Sequence, residues 1–421
     1  MFPTFTIGAM WQRLLAVPRS TGLWALGDQG VVSVGTFLVT LVLGRRLPAA
    51  EFGVFGVLLG ILVTANTAHA SLIGIPLMVL TGRRTDARSL PPAALAWTLV
   101  SAAVFTAVLT VALLVLGRPG LLPWAECALL GSQLQETLRR SLIGRLQFRR
   151  ATSGDGLSYL GQAVGVTILA ATGNLTVASA LAVMALTSLA AAAVQAAQVR
   201  PRFAQGALGR DAVEPFWQLG KSLLLVNGIG ALTIQAILWL LGAVHGISAV
   251  GSFQALLTVM GFTNPLMLAV NSVVTTRIAH TDENDPAVRR RMEVSVARRY
   301  GLLFGLPLVA YCAVLLATPE VALRLFFGSS SPYRALAGEL RVFVFFSMTQ
   351  YLYFVLAGVL NARQDTRSLL RAAVASALTV PLLGVPLTVG ASVGGAAVAT
   401  VVTAGTRALV AARHVVPRRP S

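Results

Sequence analysis

Residues 23–55 read LWALGDQGVVSVGTFLVTLVLGRRLPAAEFGVF. The first 21 of them, Leu23 to Leu43, are long enough for one helical crossing of a bilayer, because roughly 20 apolar residues rising 1.5 Å each span the hydrocarbon core. An acid and an amide, Asp28 and Gln29, interrupt the run near its start. Gln29, Ser33, Thr36 and Thr40 recur at helical spacing and share one face. Lipid offers such a stripe no hydrogen-bonding partners, so it is expected to line a wet cavity.

Outward from this stretch the chain stays apolar. Hydrophobic residues make up 56% of its 421 residues and charged residues 11%, less than half of the roughly 25% usual in soluble domains. This composition predicts an all-α, multi-pass membrane protein whose first partner is the bilayer. The net charge is +18, and Lys221 is the one lysine among 33 basic residues. The arginines sit in short loops between apolar runs, so the basic excess is a topology signal and nucleic acid is not expected as a partner. Cys127 and Cys312 lie in or near apolar segments and imply neither a disulfide framework nor a metal site. Residues 1–22 read as an amphipathic cytoplasmic lead-in without the cleavage site of a signal peptide.

Twelve crossings are predicted, at 23–43, 53–80, 93–116, 122–143, 156–172, 175–197, 216–243, 248–276, 300–318, 341–361, 368–389 and 392–412. With both termini inside, Lys and Arg divide 27 to 6 between the inner and outer sides. This asymmetry is the positive-inside pattern, and omitting one helix would reverse half of the loops. The predicted organisation is an N-lobe of six helices over 23–197, a cytoplasmic linker over 198–215, a C-lobe of six over 216–412 and a cytoplasmic tail over 413–421. GRLQFRRAT at 144–152 and GVLNARQDT at 358–366 both fit G-x-L-x-x-R-x-x-T, and each ends the fourth span of its half. Two halves of equal orientation are parallel repeats about an axis along the membrane normal.

Ionisable groups inside spans are costly and are candidates for function. They concentrate in the first half: Asp28, His69, Glu126, Glu136, Arg139 and Arg140. In the fourth span, Gln133, Glu136 and Arg140 share a face, and Glu136 precedes Arg140 by four, the favourable order for a helical ion pair. Asp28 and Arg139/Arg140 reach similar depth from opposite chain directions. One reading is a cationic pocket for a phosphate-bearing substrate, since Arg grips phosphate through two parallel hydrogen bonds, with Asp28 and Glu136 holding the arginines or a coupling proton. The other has Arg139 and Arg140 snorkelling to headgroups and Asp28 as their structural counterion. His69 is a proton-coupling residue or a core histidine. The second half offers amides and hydroxyls, chief among them Gln235, Gln254, Gln350 and Tyr353, with Arg371 and Arg407 near cytoplasmic helix ends. Gly56-x-x-x-Gly60 permits close helix packing, and Pro265 and Pro307 are potential kinks. The scattered histidines, and the absence of P-loop and GxSxG patterns, predict neither metal, cofactor nor enzyme chemistry.

The run ALGDQGVVSVGTFLVTLVLGRRLPAAEFGVFGVLLG resembles the opening of bacterial polysaccharide-biosynthesis flippases. These are the Wzx-like, polysaccharide-transporter branch of the MATE/oligosaccharidyl-lipid/polysaccharide (MOP) exporter superfamily. The likeness rests on Asp28-Gln29, Gly44-Arg45-Arg46, Glu51-Phe52-Gly53-Val54-Phe55 and L-x-G-x-x-Q-F-R-R-A over 142–151. It implies a two-lobed flippase in the bacterial cytoplasmic membrane. Its cargo would be a polyprenyl-pyrophosphate-linked oligosaccharide, moved by rocking of the lobes and driven by an H+ or Na+ gradient alongside polysaccharide-assembly proteins. Lipid II flippases look like 14-helix proteins, and no further span is predicted after His414, which speaks against a peptidoglycan precursor. On this reading Asp28, Gln29, His69, Gln133, Glu136, Arg139 and Arg140 line the N-lobe side of a cleft, and Gln235, Gln254, Gln350 and Tyr353 the C-lobe side. Two alternatives are a MATE-type antiporter of small cations and a membrane glycan polymerase or ligase. Excess Arg in the spans disfavours the first. The second needs a large outer loop, and the longest here, 319–340, has only Glu320 and Glu339 as acids.

Overall fold

The computed structural model describes residues 21–83, 90–201, 209–280 and 285–415. The predicted lead-in falls outside these residues except for its last two positions. So do Arg84 and Arg88, residues 202–208 of the linker and the end of the tail. The N-terminal half consists of α1 (Thr21–Arg46), α2 (Ala49–His69), α3 (Ile75–Arg83), α4 (Leu90–Val115), α5 (Leu122–Gly144), α6 (Phe148–Asp155), α7 (Gly161–Ala171) and α8 (Val177–Val199). The C-terminal half consists of α9 (Arg210–His245), α10 (Ile247–Gly261), α11 (Asn264–Ala279), α12 (Pro286–Ala317), α13 (Pro319–Phe327), α14 (Ala337–Ala362), α15 (Thr366–Thr379) and α16 (Val385–Val415).

These helices make twelve crossings in two six-helix lobes. Among the described residues, eight helical stretches are apolar and long enough to cross as they stand, and α10 with α11, bent by 52°, makes another. The stretch Thr366–Val415 is two crossings, because Ala391 (φ −135°) and Ser392 (φ 49°) break the helix in its middle. The crossing by α5 is masked in hydropathy by its own Glu and Arg residues. That by α6 and α7 is divided by a π-helical turn at Gly156–Leu160. Similar turns follow α2 at Ala70–Gly74 and α15 at Val380–Gly384. Such one-turn bulges rotate the face that follows them and cluster at functional sites.

The local chemistry of the helix ends is legible. Proline opens α12 and α13 within their first turn, where a missing N–H costs nothing. Thr176 and Ser179 form a reciprocal capping box on α8, and Asp365 accepts the Ser368 N–H at 3.0 Å to cap α15. The break between α10 and α11 lies two to three residues before Pro265, as its ring chemistry predicts, whereas α12 runs through Pro307. Helix α12 begins 14 residues before the predicted span, so the stretch taken as a loop is largely helical. Its Glu293 is buried and accepts from Nε of Arg363, the residue that caps the end of α14, at 3.0 Å.

The repeat is real, but its register differs from the motif. After α5 and after α14 one residue turns left-handed, Leu146 (φ 59°) and Gln364 (φ 57°). Each is followed by one residue and then by the next helix, so the two turns superimpose 218 positions apart. The shared G-x-L-x-x-R-x-x-T lies 214 positions apart, one helical turn away. A backbone turn, not the matching letters, fixes which residues are equivalent.

The lobes meet along the glycine face of α2. A methyl group built on Gly53 would lie 1.9 Å from the Ile247 carbonyl oxygen, and one on Gly251 would lie 2.0 Å from that of Ala49. No side chain fits there. Further along, Gln254 packs on Gly56 and Gln235 on Gly60. Toward the other end, Asn227 donates to the Ser71 hydroxyl at 3.1 Å, and Gly220 abuts the backbone of Ser71 and Leu72. Phe37 of α1 packs edge-on against Phe262 and Phe326, and Arg45 donates to the last carbonyls of α13, those of Leu325 and Phe326. A guanidinium at a helix C-terminus satisfies orphan carbonyls and complements the helix dipole. Arg45→Ala is therefore expected to loosen this end by about 0.5 kcal/mol, read as a small drop in the thermal midpoint; a gain would show that the contact is unfavourable. The Asp28 half of α1 lacks such cover: Gln29, Val34 and Thr36 are exposed, and among the described residues nothing lies within 4 Å of a methyl built on Gly27 or Gly30.

Candidate substrate and ion pathway

Helix α5 organises the polar interior of the N-lobe. Its Arg139, 5% exposed, meets three carboxylates from three segments. Nη2 binds Asp28 on α1, Nη1 binds Glu136 one turn earlier at 2.9 Å, and Nε binds Asp155 at the end of α6 at 2.5 Å. Glu136 also holds Nε of Arg140, whose Nη1 lies 3.6 Å from the Met78 sulfur. Gln135 donates to the second Asp155 oxygen at 3.1 Å, and Gln29 reaches Asp28 at 3.5 Å. Asp28 and Asp155 are as buried as Arg139. A guanidinium presents five donors in a fixed fork, which allows one side chain to tie three helices together. Three carboxylates against two guanidiniums leave the cluster with one formal negative charge, room for a single proton or monovalent cation.

The structure thus brings together Asp28, Glu136, Arg139 and Arg140, as the common depth of α1 and α5 predicts. Arg139 is engaged by acids and does not snorkel. Asp155 belongs to the same cluster but was not among the sequence candidates. It lies one residue before the predicted fifth span, whereas the helix starts at Phe148, seven residues earlier. The clue was an isolated acid placed after Arg149 and Arg150 in a basic stretch.

His69 stands apart from this cluster. It is fully buried, with Nε2 2.9 Å from the Thr137 hydroxyl and 3.1 Å from that of Thr98; the two hydroxyls are 2.6 Å apart. The three side chains join α2, α4 and α5 just before the Ala70–Gly74 π-turn, and the other ring nitrogen, Nδ1, is buried without a hydrogen-bond partner among the described residues. Gln133 is buried on α5, and neither polar atom of its amide has a protein partner among the described residues. Buried amides ordinarily find partners, so Gln133 is a point where a water or ligand group fits.

The C-lobe candidates divide into two pairs. Gln235 and Gln254 are buried in the seam against the glycines of α2. Gln350 and Tyr353 sit on α14 beside a narrow cavity enclosed by α9, α14, α15 and α16. Arg407 of α16 lies over the Tyr353 ring, 4.1 Å from its centroid. Its deep placement was legible in the spacing Thr400, Thr403, Arg407, which puts three polar side chains on one helical face.

No protein-family model matches the chain, and no curated protein matches it. Solved structures do. The chain is similar to a multidrug resistance MATE family transporter of the MOP superfamily in an inward-facing conformation, at TM-score 0.70 and 14% identity, over 96% of this chain and 95% of that one. It is similar to the lipid II flippase MurJ in an inward closed conformation, at TM-score 0.73 and 11% identity, over 93% and 87%. A MOP superfamily transporter from Pyrococcus furiosus, noted for reversed polarity of its binding pocket, matches at TM-score 0.63 and 13% identity, over 92% of each chain. The chain has the MOP transporter fold. At these identities the likeness is one of fold, which confirms the multi-pass, two-lobed architecture. Within the MOP fold of this chain, ionisable chemistry is unevenly divided. The N-lobe holds a cluster with excess acid, whereas the C-lobe cavity holds an arginine with no acid beside it among the described residues.

Proposed function

We propose that this protein is an exporter of the bacterial cytoplasmic membrane, with both termini inside, that carries a polyprenyl-pyrophosphate-linked oligosaccharide from the inner to the outer leaflet. The observation that carries the reading is the uncovered polar stripe of α1. The lobes touch backbone to backbone at Gly53 and Gly251 and again at Gly220, yet along the Asp28 half of α1 the polar residues Gln29 and Thr36 are exposed. Exposed polar groups on a membrane span are tolerated where they face a water-filled cleft. Such a cleft hydrates sugars and a charged pyrophosphate, and a lateral opening leaves the lipid tail in the bilayer. The excess carboxylate of the Asp28–Glu136–Asp155 cluster suits gradient coupling, because one proton or Na+ neutralises it. The division 23–197 and 216–412 supplies the two moving bodies, and 198–215 their tether.

The test is export itself. Deleting the gene is expected to abolish the surface glycan, and wild-type protein to restore it. Asp28→Ala and Arg140→Ala are expected to reduce restoration at least tenfold while the protein remains in the membrane. Full export by both variants removes the proposed pathway. The cation-antiporter reading gains from the same excess carboxylate, and resistance of an overexpressing strain to cationic drugs separates the two. Chain growth on a lipid-linked sugar by the purified protein would instead support a polymerase.

A further inference from the structure

The two lobes part on one side only. Along α2 they stay in contact: Ile247 and Gly251 of α10 lie at Gly53, Gln235 of α9 at Gly60, and Gly220 and Asn227 of α9 at Ser71 and Leu72. Along the Asp28 half of α1, by contrast, Gln29, Val34 and Thr36 are exposed. When two rigid bodies open on one side, the side that stays closed holds the axis of rotation.

The part of that closed side nearest the Asp28 end has the features of a pivot. A methyl on Gly220 would lie 2.8 Å from Cα of Leu72 and 2.9 Å from the Ser71 carbonyl oxygen, so backbone rests on backbone. Asn227 adds its hydrogen bond to the Ser71 hydroxyl, at 3.1 Å. Beside this point Phe216 and Leu219 of α9 join Leu72, Ile73 and Leu77 in a small apolar cluster separate from the main core. Contacts close to an axis barely change during rotation. Ser71 and Leu72 also belong to the Ala70–Gly74 π-turn. The extra residue of such a turn interrupts the regular hydrogen-bond ladder, and helices bend there. The same turn touches the ion cluster. A methyl on Gly74 would lie 3.3 Å from Cγ of Arg140, the arginine held by Glu136, and Met78 of α3 lies against that guanidinium. A change of charge at Glu136 therefore reaches the turn on which α9 rests.

We propose that the Ala70–Gly74 π-turn, seated on Gly220 and Asn227, is the pivot about which the two lobes rock. A hinge of this kind is a few residues that absorb the rotation while the elements around them stay rigid. The pivot rests on the exporter reading only for the purpose of the motion. Full-length protein in nanodiscs, with Cys127 and Cys312 replaced, is spin-labelled at three separate pairs of exposed positions. Pro48 and Ser248 report the Arg45 end, and Gln29 and Thr276 the open side at the Asp28 end. Leu99 and Lys221 flank the pivot, since Leu99 follows Thr98, which lies against His69, and Lys221 follows Gly220. Distances are read at acid and neutral pH, with and without Na+, and in the Gly53→Leu, Gly251→Leu variant. The first two pairs are expected to shift by several ångströms in opposite directions, and the pivot pair to hold its distance throughout. Gly220→Leu drives a side chain into the Leu72 backbone. It is expected to lengthen the pivot distance and to uncouple the shifts of the other two pairs. Should that variant fail to fold, the three pairs in the otherwise native sequence carry the test. A pivot pair that moves as far as the others overturns the pivot. So does the absence of a shift in every pair, or a folded Gly220→Leu protein whose three distances behave as in wild type. Opposite shifts about a fixed pivot in a protein that exports no glycan would keep the pivot and remove the exporter reading.

Discussion

Replacing Arg139 by Ala is expected to destabilise the N-lobe by roughly 3–5 kcal/mol. The side chain is buried, and among the described residues it is the one cation in contact with Asp28 and Asp155. Its removal leaves three acids from α1, α5 and α6 facing one another, and among the described acids Arg140 pairs with Glu136 alone. Breaking one side of a buried ion pair is costly because the abandoned charge keeps its desolvation penalty. Arg139→Lys retains the charge but lacks the planar fork that reaches three partners, so an intermediate loss is expected. Asp155→Asn removes one of three acids and is expected to be the mildest, since a neutral amide still accepts a hydrogen bond. The measurement is the thermal midpoint of the purified protein, followed by loss of the monodisperse peak. A midpoint for Arg139→Ala equal to wild type would mean that the cluster contributes nothing to the fold.

Side chains placed at Gly53 and Gly251 are expected to force apart the Arg45 end of the lobes. The groups in the way are backbone carbonyls, 1.9 and 2.0 Å from the added carbon atoms. Backbone cannot rotate aside as a long side chain can, so α2 and α10 must separate as rigid helices. Overpacking of this kind costs about 1–3 kcal/mol per site. The double variant Gly53→Leu, Gly251→Leu is expected to shift the population toward separation at this end. With Cys127 and Cys312 replaced, spin labels at the exposed Pro48 and Ser248 report the distance across the seam. A longer distance together with reduced export is expected. An unchanged distance would show that the seam tolerates side chains and that glycine there is incidental.

The sequence displays the membrane class and the span count because both depend on local quantities: apolar run length and the sign of loop charge. Asp28 and the α5 charges were legible as a group because helical rise alone sets their depth. The partners were not. Asp155 joins Arg139 only because α6 and its π-turn begin earlier than hydropathy indicates, and a helix start built from Arg149 and Arg150 carries no apolar signal. His69 had two readings in sequence, and only the structure shows that its Nε2 lies against two threonines from other helices. Gln235 and Gln254 read as sugar-facing amides, and only the structure shows that they pack on the glycines of α2 between the lobes. The repeated motif pointed to the correct internal symmetry in a register one turn off, because a left-handed residue in each turn sets the alignment.

The amino-acid sequence by itself determined that this chain crosses a bilayer many times, that it is built twice over, and that its first helix carries a polar stripe. These follow from hydrophobic period and charge, which act residue by residue along the chain. Only the tertiary structure decided which charges cancel and which stand alone. Arg139 and Arg407 are the same residue type on membrane-spanning helices, yet one is enclosed by three acids and the other rests on an aromatic ring. That difference arises between helices, where contact distance sets the strength of an ion pair, and no one-dimensional pattern encodes it.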